Sequence, residues 1–366
     1  MRIAYVNTNY QSNHTGGGHV HMEQFINNAV ALGHEIWTYP SNSHPEAQII
    51  PTTRLDHIRT MRKMDVLYVR IEKKSLDICA WALPPRRLLY GFPIVAWEFN
   101  TIPDDVALPS KNARDLSAIK QYGRGCDLAV CVSSLLGQVV RERLGLSRIL
   151  VVPNGSDPQL FCSDAHLANR MLPFQRKFNI VWIGTGKEKW HDLQMLREAA
   201  KIIYDEMDLE KNILFHLIGP DLAGIMADMP PNVYYWGGEY YDKLPNWLAA
   251  MDVGLDLMKP GSGDYRSPLK LFDYMASELS VVSTEQPQVR EVLDKMDATD
   301  LLVEPGNANK LANVIGKLAS NRKRVKKLGQ LGRQLVINHY NWKRAVTDTM
   351  SELETLLQER KGRQGK

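Results

Sequence analysis

The sequence predicts an α/β protein of two open, doubly wound domains in tandem, on three observations. Short apolar runs rich in β-branched residues alternate with helical patterns along the whole chain, which argues parallel βαβ units. The alternation is interrupted by a polar, irregular stretch near Asp157 to Phe174 and then starts again. A length of 366 residues exceeds one ordinary core, so about two domains are expected.

In the first half the expected strands are Ile3 to Asn7, Glu35 to Tyr39, Val66 to Ile71, Pro93 to Phe99, Leu128 to Ser133 and Ile149 to Val152. Val20 to Leu32 and Ser134 to Leu144 carry helical spacing between them. In the second half the expected strands are Asn179 to Gly184, Ile213 to Gly219, Val233 to Gly237, Val253 to Met258, Ser280 to Thr284 and Leu301 to Glu304. The domains are assigned to residues 1–165 and 166–340, followed by a helix and basic tail over 341–366. Such domains bind ligands beyond the carboxyl ends of their strands, so a cleft between the two is the expected site.

Composition excludes several classes. No uncharged apolar run approaches the roughly 20 residues of a membrane span, and the N-terminus turns polar too soon for a secretory signal. A cytoplasmic chain is expected. Cys79, Cys126, Cys131 and Cys162 form no C-x-x-C pair and no zinc spacing, and suit packed, reduced thiols. The net charge is +4, yet residues 321–366 hold twelve Lys/Arg against four Asp/Glu. That tail is a solvated helical face or a peripheral contact with an anionic membrane. It lacks the interleaved aromatics of a nucleic-acid binder.

Two glycine loops follow expected strands. Gly184-Thr185-Gly186 has Lys189 where a dinucleotide fingerprint needs its third glycine, and Glu188 follows Lys187 where a phosphate-binding P-loop needs Ser or Thr. Both readings fail. Gly16-Gly17-Gly18, between the first strand and a helix beginning near Val20, is either an anion-approach loop or a flexible turn, since glycine lets backbone N–H groups come close to a phosphate.

The most informative segment is Asp264-Tyr265-Arg266-Ser267-Pro268-Leu269-Lys270-Leu271-Phe272-Asp273-Tyr274-Met275-Ala276. Ser267 suits an N-cap and Pro268 the first helical position, so a helix start with unpaired N–H groups is expected there, ready for an anion. Asp273 would then reach a diol beyond the anion; the alternative is one exposed Asp on a capped amphipathic helix.

This segment resembles the retaining, GT-B fold glycosyltransferases of family 4. The resemblance extends to Gly16-Gly17-Gly18-His19-Val20, Leu32-Gly33-His34-Glu35-Ile36, Val152-Pro153-Asn154-Gly155-Ser156-Asp157 with Phe161, and Tyr340-Asn341-Trp342. Cys126-Asp127 with Val132-Ser133, Gly184 with Lys189, and Leu248 with Asp252-Val253-Gly254 complete it in family order. It implies two Rossmann-like domains, the N-terminal one for the acceptor and the C-terminal one for a nucleotide sugar, with the last helix crossing back onto the N-terminal domain.

By the same resemblance Asp273 stands at the second acid of the family's E-x7-E motif and grips the donor ribose. The first acid falls on Tyr265, beside Asp264, and either residue takes over the sugar-hydroxyl contact. Lys189 matches the diphosphate lysine; the accompanying arginine falls on Thr185, and Lys187 or Arg266 substitutes for it. Arg70, Glu98 and Asn100 resemble an acceptor-side pattern of polysaccharide-building members, with a buried Arg70–Glu98 ion pair as the structural alternative. Glu278-Leu279-Ser280 replaces the usual Gly-Lys-Pro turn. The implied donor site comprises Gly16, Gly17, Gly184, Lys187, Lys189, Arg266, Ser267, Pro268, Leu269 and Asp273, with Lys189, Asp264 and Tyr265 nearest the chemistry.

The implied reaction moves a sugar from a UDP- or GDP-sugar to a glycan, lipid-linked or small-molecule acceptor. Positive charge meets the leaving diphosphate, so no metal or other cofactor is expected. There is no D-x-D in the sequence, and His19 and His21 suit loop histidines better than metal ligands. Two other readings share the architecture: a nucleotide-sugar epimerase or hydrolase, and a catalytically silent carbohydrate-binding protein.

Overall fold

The structure, a computed structural model, describes residues 1–6, 17–71, 91, 93–102, 117, 119, 121, 123, 125–162, 174, 176–186, 190–206, 212–261 and 265–364. The chain forms two compact units. One comprises Met1–Asn154, Tyr265–Ser267 and Trp342–Lys366, the other Gly155–Asp264 and Pro268–Asn341.

The first unit holds strands β1 (Arg2–Val6), β2 (Glu35–Thr38), β3 (Gln48–Ile49), β4 (Val66–Arg70), β5 (Ile94–Phe99), β6 (Leu128–Cys131) and β7 (Ile149–Val151). All pair in parallel, in the order β3-β2-β1-β4-β5-β6-β7. Every residue of β4, β5 and β6 is buried, as expected of parallel strands covered on both faces. Helices α1 (Gly17–Ala31), α2 (Arg54–Met61) and α3 (Ser134–Leu144) supply part of that cover. Ser133 caps α3 by accepting the Leu136 N–H, and Gly145 ends it in the left-handed conformation at φ 71°.

The second unit repeats the plan. Strands β8 (Phe178–Ile183), β9 (Ile213–Ile218), β10 (Val233–Tyr235), β11 (Val253–Asp256), β12 (Ser280–Thr284) and β13 (Leu302–Val303) form a parallel sheet in the order β10-β9-β8-β11-β12-β13. Helices α4 (Leu193–Glu206), α5 (Leu244–Leu248), α6 (Leu269–Ala276), α7 (Pro287–Asp294), α8 (Ala308–Ala319) and α9 (Arg322–Asn338) accompany it. Strand order reverses between β1 and β4 in one sheet and between β8 and β11 in the other, the switch points where doubly wound sheets open a crevice.

The last helix, α10 (Trp342–Gln364), belongs to the first unit. Its Val346, Met350 and Leu353 recur at helical spacing and enter one apolar core with Ile3, Tyr5, Met22 and Phe25. Burying such side chains stabilises by roughly 1.5–3 kcal/mol each. Arg148 pairs with Glu352 and Glu359 of α10, and Arg360 pairs with Asp127, so part of the basic tail is engaged internally. Among the described residues no helix is long and apolar enough to cross a membrane.

The twelve expected strands all appear, within about two residues at each end. The two-residue β3 was not anticipated, because both of its residues are exposed and carry no burial pattern. Burial pushes the thiols of Cys126 and Cys131 up to about 12, so both are inert; Cys162 is also free, and Cys79 lies outside the described residues.

Candidate functional site

In the first unit, Arg70 and Glu98 face each other in register at the carboxyl ends of β4 and β5. Glu98 Oε1 accepts from Arg70 Nη1 at 3.0 Å and from Asn100 Nδ2 at 3.1 Å, and lies 3.2 Å from His21 Nε2. Arg70 and Glu98 are buried, so the ion-pair alternative is what the structure contains, with half-buried Asn100 attached to it. Burial, opposed by the Glu98 charge and aided by that of Arg70, lowers the His21 pKa to about 4. His21 is therefore neutral at pH 7 and donates through Nε2 to the carboxylate. Burial, and next the charge of Glu98, hold the Tyr68 phenol well above its usual pKa.

Two expectations change here. His19 and His21 do not lie in a loop: both belong to α1, which starts at Gly17 rather than near Val20. Gly17 and Gly18 consequently form its exposed first turn instead of a loop before it. The missed signal was His21 itself, a histidine flanked by Val20 and Met22 on a face that also holds Phe25 and Ile26. Gly16 lies outside the described residues.

In the second unit, α6 begins at Leu269 with Pro268 at the N-cap, ψ 121°, and no side-chain cap. The expected Ser267 cap is thus overturned. A residue before proline is pushed out of the helical region, and Ser267 is engaged otherwise: its Oγ accepts the Asn154 N–H at 3.0 Å and its carbonyl accepts Asn154 Nδ2 at 2.6 Å.

Asp273 lies in α6, one further turn along, and is 5% exposed. Its Oδ1 accepts from Ser156 Oγ at 2.6 Å and from Tyr241 OH at 3.0 Å. Burial raises its pKa from 3.8 to about 7, even though both hydrogen bonds favour the charged form. Ser156 is itself held in place: it bridges to Asn341, and a Cβ on neighbouring Gly155 would lie 2.8 Å from the Tyr340 carbonyl oxygen. Glycine at 155 therefore permits the close backbone approach that positions Ser156 under Asp273.

A second polar group under α6 was missed by sequence reasoning. Lys270 Nζ lies 3.4 Å from His191 Nε2, 3.7 Å from Asp256 Oδ1 and 4.7 Å from the Trp182 ring centroid. Gln286 Nε2 donates to the other Asp256 oxygen at 3.0 Å. Burial pulls the Lys270 pKa down and Asp256 opposes it. Asp256 ends β11, where an acid interrupting an apolar run was the available signal.

Lys187, Lys189 and Asp264 lie outside the described residues. Half-buried Gly184 follows β8 and donates its N–H to Ile218 O at 3.1 Å. Tyr265 and Arg266 are half-buried in the first unit, where the Tyr265 carbonyl accepts from Ser133 Oγ at 2.7 Å. Of the expected site residues, then, Arg70, Glu98 and Asn100 cluster, while Leu269 and Asp273 share one helix, with Pro268 at its N-cap.

Residues 177–321 match the family model described as Glycosyl transferases group 1. Over 177 residues the chain is 28% identical to TuaH of Bacillus subtilis, named as a candidate teichuronic acid biosynthesis glycosyltransferase. That alignment covers 45% of this chain and 42% of TuaH, less than half the length of either. The fold resembles sucrose-phosphate synthase from Thermosynechococcus elongatus, with a TM-score of 0.75 at 16% identity, over 98% of this chain and 99% of that one. It also resembles Anabaena HepE, solved with UDP and glucose, with a TM-score of 0.71 at 15% identity, over 97% and 99% of the two chains. Residues 177–321 are thus similar to the group 1 glycosyl transferases, and the chain that carries them has the GT-B fold.

Proposed function

We propose that the chain is a retaining family 4 glycosyltransferase that moves a sugar from a UDP- or GDP-sugar to a glycan, lipid-linked or small-molecule acceptor without a metal ion. The observation that carries this reading is Asp273, whose two hydrogen bonds among the described residues both fall on Oδ1, so that Oδ2 can accept from a ribose diol. The uncapped start of α6 offers backbone N–H groups to the diphosphate, and Lys189 offers a cation where the leaving phosphate gains charge. Asp264 and Tyr265 handle the transferred sugar, and Arg70, Glu98 and Asn100 the acceptor. HepE, solved with UDP and glucose, favours a uridine nucleotide, and TuaH, by its name, favours a cell-surface polymer as the product.

The test is release of nucleoside diphosphate from UDP- and GDP-sugars with and without candidate acceptors, after a thermal-shift screen has identified the nucleotide that stabilises the protein. Release that requires an acceptor, persists in EDTA and yields a product of unchanged anomeric configuration supports the proposal. Acceptor-independent hydrolysis or epimerisation would favour the epimerase or hydrolase reading, and nucleotide binding without turnover would favour a silent binding protein.

A further inference from the structure

The first unit contains a cavity of about 20 Å³ whose polar lining comes from His21, Tyr68, Glu98, Trp342 and Thr349, the last with its hydroxyl already donated to Ala345 O at 2.8 Å, and Phe25 and Val130 are among its apolar walls. Three buried polar atoms of these residues have no hydrogen-bond partner among the described residues: His21 Nδ1, Glu98 Oε2 and Trp342 Nε1. They come from three separate elements, α1, β5 and the first residue of α10. The His21 and Trp342 rings meet edge to face, with centroids 5.1 Å apart.

We propose that this cavity is a binding site for one water molecule, held jointly by His21, Glu98 and Trp342. The volume suffices for a single water, and the donor and acceptor pattern selects one. His21 gives its Nε2 proton to Glu98 Oε1, so Nδ1 is an acceptor. Glu98 Oε2 is a second acceptor, and Trp342 Nε1–H is a donor. A water can donate to the two acceptors and accept from the indole, which satisfies three buried groups at once. A cation would face the indole N–H, and an anion would face the Glu98 carboxylate. Only a small neutral molecule that both donates and accepts fits.

The bound water ties the first turn of α10 to the carboxylate that also holds Arg70 and Asn100. This assignment does not depend on the sugar-transfer reading.

A high-resolution crystal structure of the wild-type protein tests it directly. The expected result is a solvent peak at about 2.7–3.2 Å from all three atoms. In solution, the indole N–H resonance assigned to Trp342 by its loss in Trp342→Phe should show a persistent cross-relaxation peak with water. Trp342→Phe keeps an aromatic ring and removes the donor, so its crystal should show the peak weakened or lost. A wild-type map with no solvent at this position would overturn the proposal, as would a Trp342 indole bonded to a protein acceptor or a solvent peak unchanged in Trp342→Phe.

Discussion

Replacing Asp273 with Asn should make the protein more stable and bind nucleotide less well. The folded pKa of Asp273 is raised from 3.8 to about 7, with burial the largest cause. Between those values the folded state keeps a proton that the unfolded state gives up, so stability falls as pH rises through this window and levels off above about 7. Each pH unit of the window is worth about 1.4 kcal/mol, which puts the full effect at about 4 kcal/mol as an upper bound. Asn retains an oxygen for the Ser156 and Tyr241 hydroxyls but never ionises. Urea unfolding at a series of pH values should show the stability gap between Asp273→Asn and wild type widening by roughly 3 kcal/mol from pH 5 to pH 8. Calorimetry should show nucleoside diphosphate binding weakened by about tenfold or more, the equivalent of one lost hydrogen bond of about 1.4 kcal/mol. A gap that does not change with pH would refute the claim that this carboxylate carries a burial penalty.

Glu98→Gln keeps the shape but removes the buried negative charge 3.0 Å from Arg70 Nη1, and should cost about 3–5 kcal/mol in urea unfolding; a loss below about 1 kcal/mol would mean that the pair behaves as a solvated one. Glu278 has φ 61°, a left-handed conformation that burdens a non-glycine residue by roughly 1–2 kcal/mol, against a long ion pair of 3.8 Å to Arg333. Glu278→Gly should therefore raise thermal stability, by up to about 1 kcal/mol; a lower melting temperature would show that the ion pair outweighs the strain. Lys189→Ala should reduce turnover by about a hundredfold or more with little change in unfolding, and turnover within a factor of about two of wild type would remove Lys189 from the site.

Much of this fold was legible because parallel strands buried on both faces are continuous apolar runs, as in Val66–Arg70 and Ile94–Phe99. Their ends were legible too: the polar residues that stop those runs, Arg70 and Glu98, turned out to be register partners. The start of α6 was not, because Ser267 has the right chemistry for a cap and only the tertiary contact with Asn154 takes it away. His21 follows closely on Gly16-Gly17-Gly18, a run that suggests a loop, whereas the helix already includes Gly17 and Gly18. Glu278 shows the reverse case. A departure from the usual Gly-Lys-Pro turn had no meaning in sequence, and in the structure it is a residue at positive φ where glycine would sit without strain.

The two buried carboxylates of the candidate sites differ in a way that separates structure from ligand binding. Glu98 has a guanidinium 3.0 Å away and two further donors on the same oxygen, a charge compensated from within the fold. Among the described residues Asp273 has only neutral hydroxyls as hydrogen-bond partners, and the charge of Asp157 pushes its pKa in the same direction as burial. A fold selected for stability alone would place an amide or a second apolar side chain there, since neutral groups of that shape carry no desolvation cost. An acid held near neutrality by its surroundings is at the midpoint of its response to a new hydrogen-bond donor. A ligand hydroxyl arriving at Oδ2 would stabilise the charged form and draw off the proton, so nucleoside affinity should rise as pH increases from 6 to 8, a dependence that Asp273→Asn should abolish.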